Sequence, residues 1–265
     1  MTTDLVGKTI GGYQLAEKIG SGRLATIYKA YQPIMERWVA VKVLPPQTKE
    51  ALARFQQETL EITHLRHRNI IISYDFGDQD GQPYIVTEYI EGGTLAEHLS
   101  GAPLDWIKAV DLLIPITEGL AYAHREGVMH GDIKPSNILL PKENWPLLTD
   151  FGLSKFVGSD GSTAPSVPVE SAGYLAPERV KSTDYDQRSD IYSLGVVLFE
   201  MVTGRVPFSH KNLNDLLHAH ATEPVPPIRQ FNPSCPPVLE LVIITAMNKA
   251  PEQRYANMEA KIGRA

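Results

Sequence analysis

Apolar and polar positions alternate loosely over 13–19, with the period of two that is typical of β-strands, and four further strand-like stretches follow before residue 91. β-Branched and aromatic residues dominate these stretches, so each of them predicts a strand. The stretches are 13–19, 26–31, 38–44, 70–76 and 83–90. Pro45 and Pro46 cannot donate to a β-ladder, so the third strand should end just before them.

The spacing changes to three and four residues between 49 and 65, which predicts an amphipathic helix. After Gly92 and Gly93 helical spacing dominates. The further predicted helices are 95–99, 104–126, 186–203, 213–221 and 236–246. A small strand-rich part followed by a larger helical part indicates an α+β protein with two unequal lobes, joined near 88–93.

Composition narrows the function classes. The 265 residues are 43% hydrophobic and 21% charged, which suits a folded globular chain. With 25 Lys and Arg against 31 Asp and Glu, the net charge of -6 argues against a nucleic-acid partner. A single cysteine, Cys235, excludes an internal disulfide. No apolar run could span a membrane or serve as a secretion signal, so we expect a cytoplasmic chain without a membrane span.

Gly20 and Gly22 form a glycine-rich turn between the first two strands. Backbone N–H groups of such a turn can approach a phosphate closely, although two glycines alone are more typical of a plain hairpin. Lys42 ends the apolar run on the third strand, where it either snorkels to the surface or reaches a nucleotide's phosphates. Glu58 on the next helix is a candidate partner for Lys42, unless it is a solvated helix residue.

The densest group of polar residues lies at 130–139 and 148–152. Asn137 and Asp150 offer the oxygen ligands that Mg²⁺ prefers. Asp132 could receive a hydroxyl proton, and Lys134 could neutralise developing phosphate charge. Each aspartate alone is more typical of a turn or a helix cap than of a catalytic site. Together, after a glycine-rich turn and a lysine, they indicate a metal–nucleotide site. The histidines show no zinc-protease spacing, and we expect His218 and His220 to be solvated.

These motifs, taken in order, resemble a protein kinase catalytic domain of the eukaryotic-like serine/threonine type common in bacteria. The resemblance runs from about 13 to 255 and is carried by the glycine-rich loop 20–27, the strand 39–42, the catalytic loop 130–137, D-F-G at 150–152 and A-P-E at 176–178. It implies one bilobal kinase domain over 1–265. This domain would consist of a small antiparallel-sheet N-lobe with one main helix (about 13–88), a hinge (88–93) and a larger, mostly helical C-lobe (94–265).

The resemblance also implies roles for individual residues. Lys42 would grip the α- and β-phosphates of ATP and pair with Glu58. Asp132 would position the attacking hydroxyl, with Lys134 beside it. Asn137 and Asp150 would hold Mg²⁺, with Mn²⁺ as the alternative ion. The implied nucleotide pocket consists of Ile19, Gly20, Gly22, Ala25, Ile27, Ala40, Lys42, Thr87, Glu88, Ile90 and Leu139.

Three structural contacts follow from the same resemblance. Ser171 would face the catalytic loop. Glu178 would pair with Arg254. Asp190 would anchor the catalytic loop as a buried helix acid.

The resemblance implies that the chain is an ATP-dependent serine/threonine protein kinase, which acts on protein substrates and also phosphorylates itself. Ser162, Thr163 and Ser166 are the candidate autophosphorylation sites, and two copies could pair as a homodimer through their N-lobes. A pseudokinase that binds nucleotide as a scaffold is the alternative. A small-molecule phosphotransferase is disfavoured by the A-P-E segment and the long loop-like stretch 158–170 before it.

The chain departs from the family pattern at three positions. Ala25 replaces the third glycine of the glycine-rich loop, which adds only a methyl group. Gly131 replaces the arginine that grips an activation-loop phosphate, so we expect basal activity to need no such phosphate. Ser73 stands where the family stacks an apolar residue against the helix of Glu58, unless Tyr74 fills that space.

Overall fold

The computed structural model describes residues 4–22, 25–99, 101–141, 145–152, 169–181 and 185–259. Ser162, Thr163 and Ser166 lie outside these residues, as does most of the loop-like stretch 158–170. Its last two residues belong to a short helix that begins at Val169.

Six strands form one antiparallel sheet in the order β1-β2-β3-β4-β6-β5, and β7 and β8 form a separate antiparallel hairpin. The strands are β1 (Thr9–Ile10), β2 (Tyr13–Ser21), β3 (Thr26–Gln32), β4 (Arg37–Val43), β5 (Ser73–Gln79), β6 (Gln82–Glu88), β7 (Ile138–Leu139) and β8 (Leu147–Leu148). All five predicted strands are present. The one predicted at 70–76 starts later, at Ser73, because Ile70 and Ile71 pair instead with Leu148 of the helical lobe.

The helices also follow the predicted pattern. They are α1 (Lys49–Thr63), α2 (Leu95–His98), α3 (Trp106–Arg125), α4 (Val169–Ala172), α5 (Pro177–Lys181), α6 (Arg188–Thr203), α7 (Leu213–Thr222) and α8 (Pro237–Ala246). Local capping sets several of their ends; the Asp105 carboxylate, for example, accepts the Ile107 N–H at 3.1 Å and so fixes the start of α3. Within the described residues, none of these helices is both long and apolar enough to cross a bilayer.

The alternation of side chains along β4 gives the sheet one face that packs in an apolar core and another that lines a cavity. Val39, Val41 and Val43 are buried in a cluster with Tyr28 and Val86. Since successive side chains point to opposite faces of a strand, the intervening Ala40 and Lys42 face the other way.

The larger core surrounds α6, whose residues are almost all buried. A small antiparallel sheet with one main helix, α1, therefore stands beside a larger helical lobe. The predicted α+β, bilobal fold is confirmed.

Candidate active site

A cavity of about 430 Å³ opens between the sheet and the helical lobe. Eight of the predicted pocket residues line it: Ile19, Ile27, Ala40, Lys42, Thr87, Glu88, Ile90 and Leu139. The loop residues Gly20, Gly22 and Ala25 are not among the lining residues. Ala25 is buried instead in a small cluster with Phe55 of α1.

The cavity extends deeper than the predicted pocket. Its inner end is lined by Ile62, Ile70, Ile71, Ser73, Ile85 and Phe151. Ser73 lies opposite Thr87 in the β5–β6 register, so two small side chains meet where the cavity continues inwards. Tyr74 does not fill this space. It points to the opposite face of the strand, where the Arg37 guanidinium lies 3.6 Å from its ring centroid.

The segment that joins the two lobes is tied at both ends. At the sheet end, the Glu88 N–H donates to the Ile72 carbonyl at 3.0 Å. At the other end, the Leu140 N–H donates to the Gly93 carbonyl at 3.0 Å. Gly92 has a φ of 128°, and a Cβ there would lie 2.1 Å from the Leu140 carbonyl oxygen. Only glycine therefore allows this close approach to the wall of the cavity.

A buried carboxylate at the start of α6 holds the catalytic loop. Asp190 accepts the backbone N–H groups of His130 and Gly131, each at 2.8 Å. His124 of α3 adds a third contact through Nε2 at 2.8 Å. Burial would raise the pKa of Asp190, but these hydrogen bonds outweigh it and lower the pKa. The predicted role of Asp190 as an anchor is confirmed, whereas nothing in the sequence singled out His124.

His130 connects the catalytic loop to the D-F-G segment. Its ring is fully buried and lies 4.4 Å from the Phe151 ring, centroid to centroid. The Asp132 N–H donates to Nδ1 at 3.2 Å, so Nε2 must carry the proton that is donated to the Thr149 carbonyl at 2.9 Å. Burial lowers the pKa of this imidazole, which is consistent with the neutral tautomer.

Three predicted residues meet around the carboxylate of a fourth, Asp132. Lys134 Nζ lies 2.9 Å from Asp132 Oδ2 and donates to Ser171 Oγ at 2.7 Å. Asn137 Nδ2 donates to both the carbonyl and the Oδ2 of Asp132, at 2.8 and 3.0 Å. Burial would raise the pKa of Asp132, but Lys134 and the Ser171 hydroxyl outweigh it and hold the pKa below its ordinary value. The carboxylate is therefore ionised at neutral pH.

The second aspartate lies at the end of the β7–β8 hairpin. Ile138 pairs with Leu148, and the Thr149 N–H donates to the Asn137 carbonyl at 3.1 Å. This pairing brings Asn137 and Asp150 to the same end of the hairpin. The Asp150 backbone has a φ of 70°, in the left-handed region that few residues other than glycine occupy, although aspartate is among those that tolerate it best.

Lys42 reaches across the cavity and forms an ion pair with Asp150. The strand-rich and helical lobes therefore each contribute one charge to the same point. Glu58 lies on α1 and is half-buried; its pairing with Lys42 stays a prediction.

The arrangement suits a metal that is shared with phosphates. Among the described residues no cluster of three or more His, Cys, Asp or Glu could hold an ion alone. Mg²⁺ is commonly bound by one or two carboxylates together with substrate phosphates. Asn137 uses its amide nitrogen as the donor to Asp132, which leaves the amide oxygen to face a cation. Asn137 and Asp150 thus fit the oxygen donor set that such an ion needs.

Glu178 and Arg254 form a bidentate ion pair, with distances of 2.7 and 2.8 Å. The Arg254 side chain is completely buried and also donates to the carbonyls of Asn248 and Arg188. This confirms the predicted tie, which fixes the A-P-E segment to the base of the helical lobe.

Comparisons with known proteins agree with this geometry. A family model described as "Protein kinase domain" matches residues 13–262. The serine/threonine-protein kinase PrkC of Bacillus subtilis is 37% identical over 260 residues, which cover 96% of this chain and 40% of PrkC. PknL of Mycobacterium tuberculosis is 34% identical over 249 residues, which cover 92% of this chain and 62% of PknL. The chain thus spans about 40% of the length of relatives such as PrkC.

A solved structure shows the same likeness. The crystal structure of a mutant PknI kinase domain from Mycobacterium tuberculosis matches with a TM-score of 0.79 and 27% identity. The match covers 98% of this chain and 96% of the PknI chain.

Proposed function

The chain belongs to the protein kinase domain family, and we propose that it is an ATP-dependent protein kinase that phosphorylates serine and threonine. The resemblance seen in the motifs is thereby confirmed. Family membership implies ATP and a divalent metal ion, for which we propose Mg²⁺, with Mn²⁺ as the alternative. Lys42 and Asp150 line the cavity and form an ion pair, and Asp132 is hydrogen-bonded to Asn137 at the start of the hairpin that carries Asp150; this arrangement carries the proposal.

Ile27 and Ala40 of the sheet and Leu139 of the helical lobe would enclose the adenine, with the 88–93 segment as the hinge. Lys42, which is paired with Asp150 here, turns to the α- and β-phosphates when nucleotide binds. Asn137 and Asp150 would hold the metal ion, which would supply charge neutralisation for the phosphates. Positioning and charge neutralisation are what this reaction requires of the protein.

Asp132 orients the substrate hydroxyl and accepts its proton. The carboxylate is suited to this role because Lys134 keeps it ionised. Lys134 then faces the transferring phosphoryl group, and Ser171 links the base to the segment that precedes A-P-E. The presence of Lys134 two residues after Asp132 supports serine and threonine rather than tyrosine as acceptors.

The proposal is tested by incubating the purified chain with γ-labelled ATP, Mg²⁺ and a generic basic protein, followed by phosphoamino-acid analysis. We expect label in phosphoserine and phosphothreonine, and at least about 100-fold slower labelling with Asp132→Asn. Asp186→Asn is the matched control, since Asp186 is a surface residue that pairs with Arg188. Labelling of Asp132→Asn at the wild-type rate, or the absence of label in the wild-type protein, would contradict the proposal.

Gly131 supports a second proposal, on regulation. Without an arginine at this position, basal turnover does not depend on a phosphorylated activation loop. The variant in which Ser162, Thr163 and Ser166 are all alanine should keep its turnover, and near-complete loss would refute this. Pairing of two copies through the N-lobes stays a prediction, which sedimentation velocity can test.

A further inference from the structure

The peptide groups around Gly131 are held by hydrogen bonds on both sides. The Gly131 N–H donates to Asp190 Oδ1 at 2.8 Å, and the Gly131 carbonyl accepts from the Arg179 guanidinium. The N–H on the other end of that same peptide unit belongs to Asp132 and donates to His130 Nδ1. Both ends of the peptide plane that precedes Asp132 are therefore fixed.

This fixation matters because Gly131 has a φ of 74°. Glycine occupies that region without strain, but it also has the widest choice of other conformations. A glycine immediately before a catalytic carboxylate would allow the peptide plane to rotate and the Asp132 side chain to move with it. The hydrogen bond from Arg179 to the Gly131 carbonyl opposes that rotation. Among the described contacts, no group of the catalytic loop itself bonds to this carbonyl.

The contacts around Arg179 fix its position in the helical lobe. It lies in α5, next to Glu178, whose carboxylate is fixed by both terminal nitrogens of Arg254. Its guanidinium also lies 4.5 Å from the centroid of the Tyr185 ring, which holds the planar group from a further side. The Arg179 side chain therefore approaches Gly131 in a defined direction.

We propose that Arg179 is a positioning residue for phosphoryl transfer, which orients Asp132 by fixing the Gly131–Asp132 peptide plane. The proposal rests on the proposed kinase function and extends it to a residue outside the motif set. Because the Arg179 contact affects the catalytic base Asp132 and not the nucleotide, its loss should reduce kcat and leave the KM for ATP nearly unchanged.

The test compares wild type with Arg179→Ala, Arg179→Lys and, as the matched control, Arg125→Ala, an exposed arginine that pairs with Glu259. Loss of a charge-assisted hydrogen bond should lower the kcat of Arg179→Ala about 10-fold to 100-fold, with the KM for ATP within about twofold. Arg179→Lys, which can still donate to a carbonyl, should retain more activity. Added methylguanidinium should restore part of the kcat of Arg179→Ala, which a purely structural loss would not allow.

Amide hydrogen exchange provides a second measurement that needs no catalysis. In Arg179→Ala, exchange should accelerate at Gly131 and Asp132 while α6 stays protected. Inactivity of wild type and of Arg125→Ala would refute the kinase function, and the exchange result would still decide the peptide-plane claim. An unchanged kcat in Arg179→Ala beside an active wild type would overturn the inference alone. Loss of kcat with a general rise in exchange and no methylguanidinium rescue would overturn it too, because it would show a loss of folding.

Discussion

Replacement of Asp190 by asparagine is the sharpest test of how the catalytic loop is held. The substitution keeps the shape of the side chain, yet it removes the charge and one of the two acceptor oxygens. One carboxylate oxygen accepts from both His130 N–H and His124 Nε2, and the other accepts from Gly131 N–H. Whichever way the amide is turned, its NH₂ group faces at least one buried donor.

The expected loss of stability follows from these contacts. A hydrogen bond to a charged group contributes about 1.5–3 kcal/mol, and a buried donor left without a partner costs about 1–3 kcal/mol. Turned in the better way, the amide of Asp190→Asn loses one such bond to Gly131, so the free energy of unfolding should fall by about 3 kcal/mol. For a chain of this size that corresponds to a drop in Tm of about 6–12 °C.

The assay is equilibrium urea unfolding of wild type, Asp190→Asn and the surface control Asp186→Asn, followed by circular dichroism. The pH dependence gives an independent check. Since the pKa of Asp190 is lowered in the folded state, its stabilisation is present above the ordinary carboxylate pKa of about 4 and disappears as the pH falls through the lower folded value. The difference between wild type and variant should shrink in that acidic window. A variant as stable as wild type at pH 7, within about 0.5 kcal/mol, would refute the anchoring role, because that is the spread expected for surface substitutions.

Three further predictions concern single contacts. Glu178→Gln leaves the buried Arg254 guanidinium without its carboxylate and should lower the free energy of unfolding by about 3 kcal/mol, measured in urea; an unchanged midpoint would argue against the tie. Ser73→Leu adds apolar volume at the inner end of the cavity and should raise stability by about 1 kcal/mol together with basal activity; a fall in Tm would show that the space is too small. Lys134→Met removes the main charge that lowers the pKa of Asp132, so the acidic limb of the kcat/KM profile should move to higher pH; an unmoved limb would separate Lys134 from the base.

The sequence pattern predicted most of the architecture, because burial imposes a period on strands and helices alike. The strand of Lys42 shows why. Its alternation is strict, with one face buried in a valine cluster and the other in the cavity. The elements that were missed are short: β1, α4, α5 and the β7–β8 hairpin have too few residues to display a period.

Motif order also predicted several polar residues that the structure brings together, but it could not give their other long-range contacts. The contact of Arg179 with Gly131 depends on where α5 packs, and nothing in its neighbouring sequence signals it. His220, expected to be solvated, is fully buried and bonded to the Tyr192 hydroxyl at 2.9 Å, so that prediction is wrong. His220 was expected to be solvated because it is close in sequence to His218, which is exposed. The two side chains lie on different faces of α7.

The central claim is that Lys42, Asp132 and Asp150 act on one metal-bound nucleotide. Its most direct test measures Mg²⁺·ATP affinity and turnover in parallel for Asp132→Asn and Asp150→Asn. We predict that Asp132→Asn binds Mg²⁺·ATP as wild type does but turns over at least about 100-fold more slowly, since it lacks only the base, whereas Asp150→Asn loses both. Wild-type turnover in Asp132→Asn, or unchanged metal-dependent binding in Asp150→Asn, would contradict the account.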